Sequence, residues 1–154
     1  MSTISKRKLS TGVANKVPYW ERLLVEYIDT KRVEPFVWGS NDCIHFVNGA
    51  YKVQYNQNLF ETIDSAIYTD LESSLKVAYE HLGTVKLDEA TDQLLDRINS
   101  NFLQYGDIAF IDTTDFGTGS GHAFGLYIGE QIACLGLDGL VFVHRKYAKF
   151  GWRT

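Results

Sequence analysis

The sequence predicts an α+β fold in which N-terminal helices pack on a C-terminal antiparallel sheet. Two observations lead to this prediction. Apolar residues recur at helical spacing as far as about residue 100. After Gly106 the pattern changes to short apolar runs separated by glycine and aspartate turns, as in antiparallel strands. Helices followed by a meander of strands are typical of an α+β domain.

Length and composition indicate a globular domain and argue against nucleic-acid binding, a membrane span, a metal site and a nucleotide site. Its 154 residues can bury a core without a metal or a disulfide. The net charge of -4 argues against general nucleic-acid binding. No apolar run approaches the roughly 18 residues that span a bilayer. We expect no metal and no cofactor, because no Cys/His spacing suits zinc and no glycine loop suits a nucleotide.

The N-terminal segment, residues 1–17, has four basic residues and no acidic one. It lacks the apolar stretch of a signal peptide, so we expect a protein made in a cytoplasm with its two cysteines reduced. A segment this polar is usually a disordered arm. A second hypothesis is that a neighbouring protein of an assembly holds it. The remainder, 18–154, is predicted to be a single domain.

Two helices are predicted in the first third of that domain. The first is entered through Pro18, and its apolar residues are Trp20, Leu23, Leu24, Tyr27 and Ile28. The second starts after the capping residues Ser40, Asn41 and Asp42. Its apolar face is formed by Cys43, Phe46, Val47 and Ala50.

Residues 60–100 read as a helical insertion. One helix is predicted in DLESSLKVAYEHLG, ending at Gly83 as its C-cap, and a shorter one in LDEATDQLLDRI. The expected core positions of the longer helix are Leu71, Leu75, Ala78 and Leu82. The strands that follow are predicted in GDIAFID, AFGLYIG, QIACLG and LVFVHRK.

Cys43 is the candidate nucleophile, because a thiol in the first turn of a helix lies at the positive end of the helix dipole. A base must take its proton, and histidine is the usual one. His45 is two residues away on the same helix and points elsewhere. His81 and His144 are interpreted as exposed residues at the ends of their elements. His122, at the start of a strand after a glycine-rich loop, is therefore the candidate base.

These motifs resemble a known family. A helix-leading NDC, then YGDIAFID, then GHAFGLYIG, is similar to the NlpC-type cysteine peptidases, which are papain-like hydrolases of peptide bonds in bacterial cell walls. The resemblance is greater to a branch encoded in phage tail gene clusters, with WG.NDC and a terminal DGL…V…W. It runs from about residue 20 to 154.

The resemblance implies a papain-like fold and a peptidoglycan peptide as substrate, with Cys43 as nucleophile and His122 as general base. It also implies residence in a phage tail, with other tail-tip or hub proteins as partners, held through the arm 1–17. The alternative is a structural tail-tip or tail-assembly protein that keeps this fold without catalysis. Asp42 is interpreted as a helix cap that supports the thiol.

Two departures from the family pattern affect the candidate base. In the family motif H-V-G-I-Y-I-G the histidine stands two residues before the first glycine, whereas His122 stands three before Gly125. A one-residue shift reverses the face of a strand, so we expect His122 to point away from Cys43 unless a bulge at 119–121 re-aims it. On the next strand Ala133 and Cys134 occupy the usual place of a residue that orients the histidine, which leaves Gln131 as a substitute.

Overall fold

The computed structural model describes residues 8–9, 11–113 and 122–154, and it confirms helices in the N-terminal part and an antiparallel sheet in the C-terminal part. In the described ranges no helix combines the length and the apolar character needed to cross a membrane. The α-helices are α1 (Trp20–Lys31), α2 (Cys43–Tyr55), α3 (Leu71–Leu82) and α4 (Leu87–Asp92).

The strands of the described residues form one antiparallel sheet in the order β1-β6-β2-β3-β4-β5. Those predicted from sequence are β2 (Ile108–Asp112), β3 (His122–Tyr127), β4 (Gln131–Gly136) and β5 (Gly139–His144). Two more, which the apolar pattern does not single out, are β1 (Arg97–Asn99) and β6 (Ala148–Trp152). The helix predicted in LDEATDQLLDRI was too long, because α4 ends at Asp92 and the last residues of that segment belong to β1. Strand β6 lies between β1 and β2, so the last part of the chain returns to the middle of the sheet.

Helix α1 packs on α2 at a close approach. The ring of Tyr27 stacks on Phe46 with centroids 5.7 Å apart, and its hydroxyl donates to the Phe46 carbonyl over 2.7 Å. Gly49 makes room for this ring, since a Cβ at that position would collide with the Tyr27 hydroxyl. The contact fixes the axis of α2, whose first residue is Cys43.

The two faces of the sheet carry separate apolar clusters. On one, Phe110, Phe124 and Leu126 pack together with Phe46 and Val47 of α2. We call this side the helix face. On the other side, Leu103, Ala109, Ile111, Tyr127, Ile132 and Ala148 form a second cluster, with Cys134 against it.

Helix α3 has the predicted bounds but not the predicted buried face. Its N-cap Asp70 forms a capping box with Ser73, and Gly83 ends it in the left-handed conformation. Leu71 and Leu75, however, are 47% and 39% exposed, whereas Ser74 and Ala78 are buried. The prediction was right for Ala78, and Leu82 packs half-buried against the core, but it was wrong for Leu71 and Leu75, because the helix turns its smaller side chains inward.

The described part of the N-terminal arm lies against its own domain. The backbone N–H of Leu9 donates to Leu94, and that of Val17 donates to Gln54, each over 2.8 Å. Lys8 pairs with the exposed Asp96 at 2.8 Å. Residues 1–7 and 10 are outside the described residues, and the hypothesis that a neighbour holds the arm stays a prediction.

Replacing Leu24 by Ala tests the packing of α1. Leu24 is fully buried, so its truncation leaves a cavity and is expected to lower the free energy of unfolding by about 2–5 kcal/mol. The adjacent Val25 is 49% exposed, and Val25→Ala is the matched control, with an expected cost below about 1 kcal/mol. Urea unfolding measures both. Equal costs for the two variants would contradict the packing described for α1.

Candidate active site

Cys43 is the first residue of α2, and Asp42 is its N-cap, as the sequence predicts. The Asp42 carboxylate accepts the backbone N–H of His45 over 2.9 Å, which satisfies one of the unpaired donors of the first turn. The Cys43 thiol therefore lies at the positive end of a 13-residue helix.

The Asp42 side chain is 1% exposed and is surrounded by donors. One oxygen accepts the Tyr68 hydroxyl over 2.6 Å and the Gly39 N–H over 3.0 Å. The other lies 2.9 Å from Nδ1 of His45. Burial alone would raise the pKa of this carboxyl, but the hydrogen bonds from His45 and Tyr68 hold it below its usual range.

Tyr68 is a site residue that sequence reasoning missed. It stands 26 residues after Asp42, just before α3, and burial together with the Asp42 carboxylate raises the pKa of its hydroxyl. Gly39 shares this contact, since it has a positive φ of 84° and a Cβ there would collide with the Tyr68 carbonyl. A lone tyrosine in a helical insertion gives no sequence signal of such a role.

The Cys43 thiol packs against the core on the helix face. Burial, and then the negative charge of Asp42, raise its pKa to about 11. Hydrogen bonding from backbone groups, that of Phe124 on β3 first among them, acts in the opposite direction. The sulfur is thus held between the start of α2 and the middle of β3, as a neutral thiol.

His122 lies on the helix face of the sheet, so the expectation that it points away from Cys43 was wrong. It begins β3, and the side chains at 122, 124 and 126 share one side of the strand. Phe124 and Leu126 belong to the cluster that contains α2. The one-residue shift aims the histidine correctly because α2 packs on that face. The bulge considered at 119–121 falls outside the described residues.

The ring of His122 stacks on Phe110 of β2, with centroids 5.2 Å apart and planes 5° apart. Its Cα is two residues along the strand from Phe124, or about 7 Å. Among the described residues, no hydrogen bond joins the Cys43 thiol to this ring. The structure therefore brings the two residues to the same face of the sheet.

Gln131 lies at the wrong end of the strand to orient His122. It begins β4 immediately after the turn that ends β3, and its carbonyl accepts the N–H of Ile128. His122 begins β3, and the end of this six-residue strand that lies next to Gln131 is about 17 Å from it. Ala133 pairs with Leu126, and Cys134 lies on the other face of the sheet.

The titration of Cys43 is a direct test of this environment. In a Cys134→Ser background we expect alkylation by iodoacetamide to rise with a midpoint near pH 11, because burial disfavours the thiolate. Asp42→Asn keeps a good N-cap and removes the negative charge, so it should move the midpoint to lower pH. Urea-unfolded protein, with an alkylation midpoint at about pH 8.5, is the control. A native midpoint at that ordinary value would contradict the burial described for the thiol.

Comparison with known proteins gives one match. No curated protein matches the chain, and no solved structure matches it. A family model described as Domain of unknown function (DUF6950) matches residues 15–154. This range contains α2 with Asp42 and Cys43, the insertion with Tyr68, and the whole sheet. The chain is a member of the DUF6950 family.

Proposed function

We propose that this chain is an NlpC-like cysteine hydrolase with a papain-like fold, which cuts peptide bonds of peptidoglycan. The observation that supports the proposal most is the position of Cys43. Its thiol stands at the start of α2 and against the backbone of Phe124, and His122 projects from the same face of the same strand. A nucleophile and a base on one side of a strand form the minimum of a cysteine hydrolase.

The reaction follows from these two groups. His122 takes the proton of the Cys43 thiol while the sulfur attacks the carbonyl carbon of the peptide. The carbon–nitrogen bond then breaks, and the imidazolium gives its proton to the leaving amine. A water molecule, deprotonated by His122, hydrolyses the thioester and releases the carboxyl product and the free thiol.

The high pKa of Cys43 specifies how this reaction begins. A thiol with a pKa of about 11 is protonated at neutral pH, so the free protein holds no preformed thiolate. The proton must leave during the attack, with His122 brought within hydrogen-bond reach once the peptide is bound. A neutral thiol also resists oxidation until substrate arrives.

The place of action in this proposal is the tip of a phage tail. It rests on the resemblance of the segment from Trp38 to Cys43, and of the terminal DGLVFVHRKYAKFGW, to the phage tail branch of the NlpC-type peptidases. The protein would be made in the host cytoplasm and carried in the virion. Its partners would be other tail-tip or hub proteins, contacted through residues 1–17.

A structural tail-tip protein without catalysis is the second candidate. One observation favours it, namely that burial raises the pKa of the Cys43 thiol to about 11 and so keeps it protonated at neutral pH. A cysteine packed on the apolar face of a helix serves as a small core residue in many proteins. In that case α2 and the sheet would serve assembly alone.

Release of peptides from purified peptidoglycan, followed by mass spectrometry, tests the first candidate. We expect the wild-type protein to release fragments and Cys43→Ala to release none, because the other thiol of the chain, Cys134, lies on the face of the sheet opposite to His122. His122→Ala should lower the rate by roughly a hundredfold or more.

Cys134→Ser is the matched control, since Cys134 lies on the opposite face of the sheet and should be dispensable. Absence of fragments with folded wild-type protein would rule out the hydrolase and leave the structural candidate. Equal activity of Cys43→Ala and wild type would exclude Cys43 as the nucleophile.

A further inference from the structure

We infer that Asp112 of β2 is the residue that positions the imidazole of His122, a role in catalysis that rests on the proposed function. The sequence pattern placed this residue on the strand that follows His122. The sheet register points instead to β2, the strand on the other side of β3. Three features of the described residues support this inference.

The first feature is the register. Asp112 and His122 are Cα partners in the antiparallel pairing of β2 with β3. Directly opposite residues project from the same face, with Cβ atoms about 4.5–5.5 Å apart. That separation suits a hydrogen bond between a carboxylate and a ring nitrogen. Asp112 stands two residues after Phe110 and His122 two residues before Phe124, so both project from the helix face, the side that carries Cys43.

The second feature is the platform beneath the ring. The Phe110 ring lies parallel to that of His122, and it stacks in turn on Phe150 with centroids 5.1 Å apart. The buried Trp152 meets Phe110 edge-on. This aromatic group holds the plane of the imidazole, so a carboxylate at the edge of the ring selects which nitrogen bears the proton.

The third feature is a cation beside the acid. The pairing of β2 with β6 shifts between Phe110 and Ile111, where Phe150 and Ala148 are the successive partners, so Lys149 is an extra residue. Its Nζ is 3.8 Å from Asp112 Oδ2. A positive charge at this distance favours the ionised carboxylate. The pair is partly exposed, and a carboxylate has lone pairs for more than one donor.

The strand on the other side offers no such group. The pairs between β3 and β4 are Leu126 with Ala133 and Tyr127 with Ile132, both remote from His122. Gln131 lies beyond the far end of β3. An acid on β2 would supply the function that an orienting residue has in a catalytic triad, which is to fix one tautomer and leave the other nitrogen as the base.

The tautomer of His122 tests this inference in the full-length protein. Nitrogen-15 NMR of histidine-labelled protein, measured where the rings are neutral, distinguishes protonated from unprotonated ring nitrogens. His122→Gln assigns the signals. In the wild type we expect one tautomer for His122, and in Asp112→Asn an average of the two. Asp112→Glu should restore the single form.

Asp96→Asn is the control, because Asp96, like Asp112, is an acid paired with a lysine, at 2.8 Å from Lys8. It should leave the His122 signals unchanged. Thermal unfolding of each variant shows that the fold is intact. An unchanged tautomer in folded Asp112→Asn would overturn the inference.

This readout needs neither Cys43 nor a substrate. A single tautomer that depends on Asp112, in a protein that releases no wall peptides, would support the pairing while the proposed hydrolase fails. If the protein is an active hydrolase, Asp112→Asn should lower the rate by up to roughly a hundredfold. Full activity and an unchanged tautomer in that variant would overturn the inference and leave the hydrolase standing.

Discussion

The Asp42 carboxylate is the buried charge around which the candidate site is built. It joins the turn at Gly39 and the first turn of α2, its neighbours in sequence, to Tyr68, which stands 26 residues further along, before α3. A buried carboxylate is tolerated only when its oxygens are hydrogen-bonded, and leaving one donor out costs about 1–3 kcal/mol. The same bonds that stabilise Asp42 therefore fix where α2 begins, and with it the position of Cys43.

This arrangement has opposite effects on the position and the reactivity of the thiol. The N-cap aims Cys43 at β3 from the positive end of α2, which favours a thiolate. Burial and the adjacent charge of Asp42 outweigh that effect and leave the pKa near 11. The thiol is consequently neutral at physiological pH. In the proposed hydrolase, removal of the thiol proton then depends on His122. The orientation of His122 depends in turn on the residues that hold its ring.

Local patterns account for the elements that sequence reasoning predicted. Asp42 and Gly83 are caps whose effect is confined to one helix turn, so the start of α2 and the end of α3 were predictable. Strand β1 was not, because three residues are too few to show an alternation. Strand β6 was missed because Lys149 and Gly151 interrupt the kind of short apolar run by which the other strands were found. The contact of Tyr68 with Asp42 joins residues far apart in sequence, which no local pattern reveals.

The face of His122 could not be predicted for a related reason. The last four residues of β3 are all buried, on both sides of the sheet, so the strand shows no apolar alternation that marks one side. Which side meets α2 is decided by packing with Phe46 and Val47. A motif shifted by one residue thus keeps its histidine on the face of the sheet that carries Cys43, because the helix covers that face.

The measurement that tests the account most directly is the mass of the protein quenched with acid during reaction with peptidoglycan-derived peptides. A cysteine hydrolase passes through a thioester on its nucleophile. We predict an acyl adduct that maps to Cys43 in the wild type and fails to accumulate in His122→Ala. A wild-type protein that carries no adduct on Cys43 under conditions where it binds the peptides would contradict it.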